Sequence, residues 1–146
     1  MEAARRRVHR ILALANAQAL RQACAAICDA TPAAMLRGPE TGMVMARGRI
    51  GGSGAAFNIG DVSLTRASVR LANGAIGHAA HLGRDAGRVR LAAIVDALWQ
   101  DPERRREIED RIVAPLERFV EARDAKLGGE VAATKVDFFT LVRGED

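Results

Sequence analysis

Five arginines in the middle of the chain have the residue type and spacing of an anion-binding surface: Arg47, Arg49, Arg66, Arg70 and Arg84. Guanidinium groups bind phosphate and carboxylate oxygens through pairs of N–H donors. Arg66 and Arg70 are four residues apart in an extended pattern, so both point to one side of a strand unless a bulge intervenes. Arginines from neighbouring strands would together clamp a polyphosphate. For each arginine the alternative is a solvated sheet face or an ion pair with an acidic neighbour: Glu40, Asp61 or Asp85.

The glycine-rich segment from Gly51 to Gly54 separates two extended runs. Its backbone N–H groups could hold a phosphate. It lacks the Lys-Ser/Thr ending of a P-loop, however, and is followed by a strand rather than a helix. The segment therefore predicts first of all a hairpin turn.

Candidate groups for proton transfer are few. His78 and His81 fall on opposite faces of one predicted strand, and no acidic or nucleophilic partner can be identified for them by spacing. Cys24 and Cys28 are four residues apart in a helical pattern, which predicts small core residues rather than a metal site or a disulfide framework. The chain has no Ser-His-Asp pattern, metal-ligand spacing or dinucleotide fingerprint, so no catalytic residue is assigned and no metal is expected.

The elements that would position these residues are of the α+β class. Apolar residues recur with helical spacing up to Thr31-Pro32, and Asn16 either separates two short helices or lies within one bent helix. An antiparallel sheet then occupies the middle of the chain. Apolar residues change from even to odd positions along its second strand, which predicts a bulge or bend between Thr65 and Ser68. Asn73-Gly74 predicts the next turn.

The second half of the chain predicts helices with recognisable ends. Asp85 is suited to cap one helix, and Asp101-Pro102 ends it and starts another. Pro115 predicts a break or kink, and Gly128-Gly129 a stop.

The last segment, Val136 to Val142, reads as a short C-terminal strand that is apolar on both faces. Such a strand is either central in its sheet or covered by another chain, and both alternatives stay open. Phe138, Phe139 and Leu141 are the candidates for docking onto a partner. Residues 1–146 are expected to form a single domain in which N-terminal and C-terminal helices flank the sheet along the chain.

Composition narrows the function classes. The net charge is +4, and all but two of the 22 basic residues are arginine. Acidic residues are interleaved with them, and aromatic residues make up only 3% of the chain, so nucleic-acid binding by base stacking is not expected. No run approaches the ~20 apolar residues of a membrane span. A cytoplasmic location without membrane attachment is the expectation.

Several motifs in fixed order resemble those of the PhnG family of the bacterial carbon–phosphorus lyase system. The motifs, which fall between about Val8 and Gly144, are Gly51 to Gly54, Phe57, Gly60-Asp61, Leu64 to Ala67, Val69 to Leu71, Gly83 to Asp85, Ile112 to Leu116, Val136 to Thr140 and Val142 to Gly144. The glycine turn alone would not be specific, but the separate motifs together are.

The resemblance implies a role in phosphonate catabolism. In that family PhnG works with PhnI, PhnH and PhnL to attach a phosphonate to the ribose of ATP. Adenine is displaced, leaving α-D-ribose 1-methylphosphonate 5-triphosphate. PhnG, PhnH, PhnI and PhnJ form a core assembly. The nucleosidase-type activity is associated with PhnI and the iron–sulfur cluster with PhnJ.

The resemblance also bears on this chain's own residues. It implies a subunit that is inactive alone, binds no cofactor itself and shares ATP as a co-substrate of the complex. Arg66, with Arg70 or Arg84, would face the shared active site or hold the PhnI interface. The rival classes are a stand-alone phosphate- or nucleotide-binding module and a small basic nucleic-acid binder.

Truncation before Thr134 tests the docking role of the C-terminal segment. If a partner covers that segment, the shortened chain should stay soluble but no longer co-purify with PhnI. Co-expression followed by affinity capture measures both properties. Loss of solubility would instead show that the segment is an internal strand.

Overall fold

The computed structural model describes residues 2–50 and 53–133. Helices precede and follow an antiparallel sheet, which confirms the α+β class. The elements, in chain order, are α1 (Glu2–Leu14), α2 (Ala17–Asp29), β1 (Ala33–Arg49), β2 (Ala56–Leu71), β3 (Ile76–Leu82), α3 (Ala86–Gln100), α4 (Pro102–Ile108), a π-helical turn (Glu109–Val113) and α5 (Ala114–Ala133). The predicted C-terminal strand, Val136 to Val142, lies outside the described residues.

Asn16 separates α1 from α2. Its side-chain oxygen accepts a hydrogen bond from the Ala19 N–H at 2.7 Å, which satisfies one of the unpaired donors at the start of α2. The two-helix alternative is therefore confirmed. Cys24 and Cys28 are buried and free, as their helical spacing predicted.

No single helix in the described ranges is long and apolar enough to span a membrane. Only α1 and α2 taken together reach that length and composition, and this pair is bent by 119°.

The sheet is a three-stranded antiparallel meander in the order β1-β2-β3. The β1–β2 pairing extends to Arg49 and Ala56, so β1 and β2 form the predicted hairpin, although Gly51 and Gly52 lie outside the described residues. The predicted turn at Asn73-Gly74, which joins β2 to β3, is confirmed. β3 pairs with β2 only up to Leu82 opposite Leu64. The rest of the β1–β2 hairpin extends beyond the end of β3. We call this part, residues 42–49 and 56–63, the distal arm.

The bulge predicted between Thr65 and Ser68 is wrong in its position. The β2–β3 register is regular from Leu64 to Arg70, and the irregularities opposite this stretch lie in β1, between Met35 and Glu40. No register shift is needed between β2 and β3, because the apolar residues of β2 lie on both faces of the sheet. Thr65, Ala67, Val69 and Leu71 are buried beneath the helices, whereas Val62 and Leu64 are half-buried on the other face.

Helices cover one face of the sheet. α3 packs on β2 and β3, with α1, α2 and α5 behind and beside it, and their apolar side chains form one contiguous core. Gly77 lets α3 approach β3 closely, since a Cβ at this position would lie 2.0 Å from the Ala93 carbonyl oxygen. Along α3, Ile94, Val95 and Leu98 are buried in this core and Leu91 is partly buried.

The predicted starts of α3 and α4 are confirmed, whereas the predicted end of the last helix is wrong. Asp85 and Asp101 cap α3 and α4 through hydrogen bonds from backbone N–H groups. Pro115 follows the π-helical turn, so the regular helix is interrupted where proline removes a backbone donor. Gly128-Gly129, however, lies inside α5. Glycine permits a helix to end but does not force it, and each one in an exposed helix costs only about 1 kcal/mol.

Candidate functional site

The face of the sheet that the helices leave uncovered carries a polar groove. Alternation along β2 and β3 places Arg66, Ser68 and His78 opposite the buried face. The groove has a volume of about 460 Å³. We call it the open-face groove; the residues that matter for its chemistry are His9, Arg37, Arg66, Ser68, His78 and Ala80.

One carboxylate joins the two arginines of the groove. Arg66 donates through Nε to Glu40 Oε1 at 2.6 Å, and Arg37 Nε lies 3.3 Å from the same oxygen. This is one of the ion pairs that the sequence allowed for Arg66. Two guanidinium groups share one carboxylate, so the cluster keeps a net positive charge.

Ser68 and His78 form a second polar pair in the groove. They occupy opposite positions on β2 and β3, and Ser68 Oγ lies 2.8 Å from His78 Nδ1. If the hydroxyl donates, Nδ1 accepts and the ring proton resides on Nε2. His78 then offers an N–H donor through Nε2.

Asp96, on α3, anchors the groove wall from below. Its side chain is fully buried and accepts two hydrogen bonds from Arg5, at 2.8 and 2.7 Å. The backbone N–H of His78 donates to it at 2.9 Å, and His9 Nε2 lies 3.2 Å from its other oxygen. These contacts fix α1 and the outer edge of β3 to α3.

The contacts of Asp96 also set its ionisation. Burial raises the pKa of this carboxyl, but hydrogen bonds from His9, Arg5 and the His78 N–H outweigh burial and lower the pKa to about 2. Asp96 is therefore ionised throughout the physiological range, and its charge is matched by Arg5.

The five predicted arginines do not converge in this chain. Arg66 lines the open-face groove, whereas Arg70 lines a separate depression beside Pro32 and Leu71. Arg47 and Arg49 lie near the tip of the distal arm, and Arg84 donates to Ser63 Oγ at 3.2 Å. Glu40 is the pairing partner of Arg66, and Arg47 lies seven residues further along β1. At ~3.3 Å per residue, this separation is ~23 Å.

His81 lies on the buried face of β3, opposite to His78, as the sequence predicted. Burial, with smaller contributions from the positive charge of Arg88 and from His9, lowers its pKa to about 4. His81 is therefore neutral at pH 7 and belongs to the core rather than to the groove.

The distal arm exposes apolar side chains. Met43, Met45 and Ile59 are 65%, 59% and 65% exposed, and Val44 and Phe57 are also exposed. Val44 pairs with Val62 on the same side of the hairpin as Arg66, so an apolar strip continues outward from the groove. We call Val44, Ala46, Phe57, Ile59 and Val62 the apolar strip.

The sequence contained signals for parts of this site but not for the whole. Arg66 was singled out by its type and spacing, and His78 by its place on a strand. Arg37, Ser68 and His9 were not, because local spacing indicates neither the pairing register of the strands nor the packing of α1 beside β3. Asp96 is a lone acidic residue in an otherwise apolar run, and that was the available signal for a buried carboxylate.

Among the described residues, no three histidine, cysteine, aspartate or glutamate side chains are grouped as metal ligands. The predicted docking residues Phe138, Phe139 and Leu141 lie outside the described part of the chain. Their role stays a prediction.

Comparison with known proteins identifies the family. The family described as "Phosphonate metabolism protein PhnG" matches residues 3–144. A protein of Rhizobium meliloti (strain 1021), named alpha-D-ribose 1-methylphosphonate 5-triphosphate synthase subunit PhnG, is 48% identical over 147 residues. The match covers 99% of this chain and 92% of that protein. The chain belongs to the PhnG family, and with it to phosphonate metabolism.

Replacing Asp96 by Asn tests the anchoring role of the carboxylate. A pKa lowered to about 2 from 3.8 means that Asp96 stabilises the fold above pH ~4 and loses that contribution as the pH falls through ~2. Asp96→Asn should lower the free energy of unfolding at pH 7 by about 2 kcal/mol. Urea denaturation at pH 7 and at pH 3 measures the change.

The variant should also lose less stability than the parent chain between pH 4 and pH 2. Asp110→Asn is the matched control, because Asp110 and its partner Arg106 are both exposed. Equal effects of the two substitutions would contradict the anchoring role.

Proposed function

We propose that this chain is a subunit of a complex that transfers a phosphonate to the ribose of ATP. The observation that carries the proposal is the match to the named synthase subunit along nearly the whole of both chains. The partners proposed are PhnI, PhnH and PhnL in the transferase reaction, with PhnJ in the core assembly. The chain contributes as a subunit and is inactive alone. Because the reaction consumes ATP, the proposed location is the cytoplasm.

The product in the relative's name defines the chemistry that such a synthase must perform. A methylphosphonate oxygen forms a bond to ribose C1, and the bond from C1 to the adenine nitrogen breaks. Adenine leaves with that electron pair and a proton, and the 5-triphosphate stays on the sugar. Two anionic groups must therefore be held close to one sugar, which requires positive charge and N–H donors positioned in advance.

The distal arm supports a role inside an assembly. Apolar side chains on a two-stranded extension gain little from burial within their own chain, and an exposed apolar patch rimmed by polar groups marks an interaction surface. Here the apolar strip ends at the open-face groove, so a partner seated on the strip would also cover the groove. The proposed occupant is the PhnI subunit.

The rival functions make different predictions. A stand-alone nucleotide-binding module would bind ATP tightly as an isolated chain. A nucleic-acid binder would show steeply salt-dependent binding to single or double strands. The proposed subunit does neither strongly and instead captures its partners.

The reaction itself is tested by reconstitution. The chain is co-expressed with PhnI, PhnH and PhnL, and release of adenine from ATP is followed with and without methylphosphonate. We expect release that depends on methylphosphonate and on the presence of this chain. An unchanged rate when the chain is left out, with the other subunits present, would overturn the proposal.

Ile59→Lys tests the docking surface. The side chain is largely exposed, so the isolated chain should keep its fold, while a lysine on the apolar strip should weaken PhnI capture at least tenfold. Leu127→Lys is the matched control, since Leu127 is 57% exposed on α5, away from the arm. Pull-down and circular dichroism measure capture and fold. Equal capture by Ile59→Lys and Leu127→Lys would contradict docking through the strip.

A further inference from the structure

The open-face groove has the composition of a binding site rather than of a packing surface. Its volume is in the range of small-ligand pockets, and its floor is the backbone and small side chains of β2 and β3. Its rim carries guanidinium, imidazole and hydroxyl groups from four elements, α1, β1, β2 and β3. The groove therefore combines an open cavity with convergent polar side chains.

The charge of the groove favours an anion. Arg37 and Arg66 bring two positive charges, and Glu40 is the carboxylate that contacts them. Asp96 does not cancel the positive charge that remains on this cluster, because its own charge is already matched by Arg5. An anion entering the groove would restore neutrality without displacing any contact described above.

The donors suit oxygens in a tetrahedral arrangement. In the described part of the chain the Arg66 side chain donates through Nε, to Glu40, which leaves its terminal nitrogens for a ligand. When the Ser68 hydroxyl donates to His78 Nδ1, the ring proton of His78 is on Nε2 and points away from Ser68. A guanidinium fork beside an imidazole N–H matches a group with several oxygens around one atom better than a planar carboxylate.

We infer that the open-face groove binds a phosphorus oxyanion, the –PO₃ group of a phosphonate or a phosphate, through Arg66, Arg37 and His78. Arg70 takes no part, although it lies on the same strand and face. The inference rests on the proposed function only for the choice between the two sources. A phosphonate substrate and the 5-triphosphate of ATP both present phosphorus-bound anionic oxygens. They differ in the number of linked phosphorus groups, which is one in a phosphonate and three in the triphosphate.

The test uses the full-length chain with two probes, methylphosphonate and inorganic tripolyphosphate. Binding is followed by ¹H–¹⁵N spectra of the labelled protein, which locate the site by the signals that shift. We expect shifts at Ser68 and His78, and a Kd at least tenfold weaker in Arg66→Gln and in Arg37→Gln. The preferred source is the probe that binds more tightly.

Arg70→Gln is the matched control. Its guanidinium is four residues from Arg66 on β2, ~13 Å along the strand, which exceeds the screening length at physiological salt. It should leave the Kd within twofold of the parent chain. Arg66 and Arg37 are exposed, so both Gln variants should keep the parent's circular dichroism spectrum.

Either of two results would overturn the inference: no shift at Ser68 and His78 with either probe, or equal weakening by Arg66→Gln and Arg70→Gln. These outcomes are separate from the fate of the proposed function. A groove that binds methylphosphonate while the reconstituted complex releases no adenine would refute the function alone. Adenine release by a complex whose groove binds neither probe would refute the groove alone.

Discussion

The buried carboxylate of Asp96, on α3, holds α1 and β3 against that helix. α1 reaches it through Arg5 and His9, and the edge strand β3 reaches it through the His78 N–H. A buried charge is tolerated only when it is paired and hydrogen-bonded, so its partners must be in place whenever the chain is folded. This requirement fixes the position of His78, and the wall of the open-face groove with it.

The helices cover one face of the sheet and leave the other face uncovered. Under the helices, Gly77 and the small residues of α3 let the layers approach closely, and the core is continuous. On the other face, polar side chains line a groove and apolar ones line the distal arm. A sheet with one face packed and one face open is common among antiparallel proteins, but the open face is then usually polar. Here its apolar part points to a partner.

Local signals in the sequence were sufficient for most of the framework. Asn16, Asp85 and Asp101 act as helix caps because their side chains satisfy the first free N–H groups of a helix, a short-range effect that spacing reveals. Gly128-Gly129 was misjudged as a stop because conformational freedom permits an end without requiring one. The predicted bulge in β2 failed since parity alone does not tell which apolar residues face the core.

The groove could not be predicted in the same way. Arg66 lies in the groove, yet the expected clamp of arginines is not formed within the chain, because strand length carries Arg47 far along the arm. The pairing of Ser68 with His78 depends on sheet register, and that of His9 with Asp96 depends on helix packing between residues 87 positions apart. Such contacts follow from tertiary structure rather than from local pattern.

If the uncovered face of the sheet and the distal arm become a partner interface, their amide hydrogen exchange must slow when the partner binds. Amide exchange is compared between the free chain and the chain assembled with PhnI. Docking through this surface predicts strong slowing in the distal arm and in β3 beside the groove, with α3 unchanged because it is already buried. Equal exchange of the arm in the free and assembled chain would contradict it.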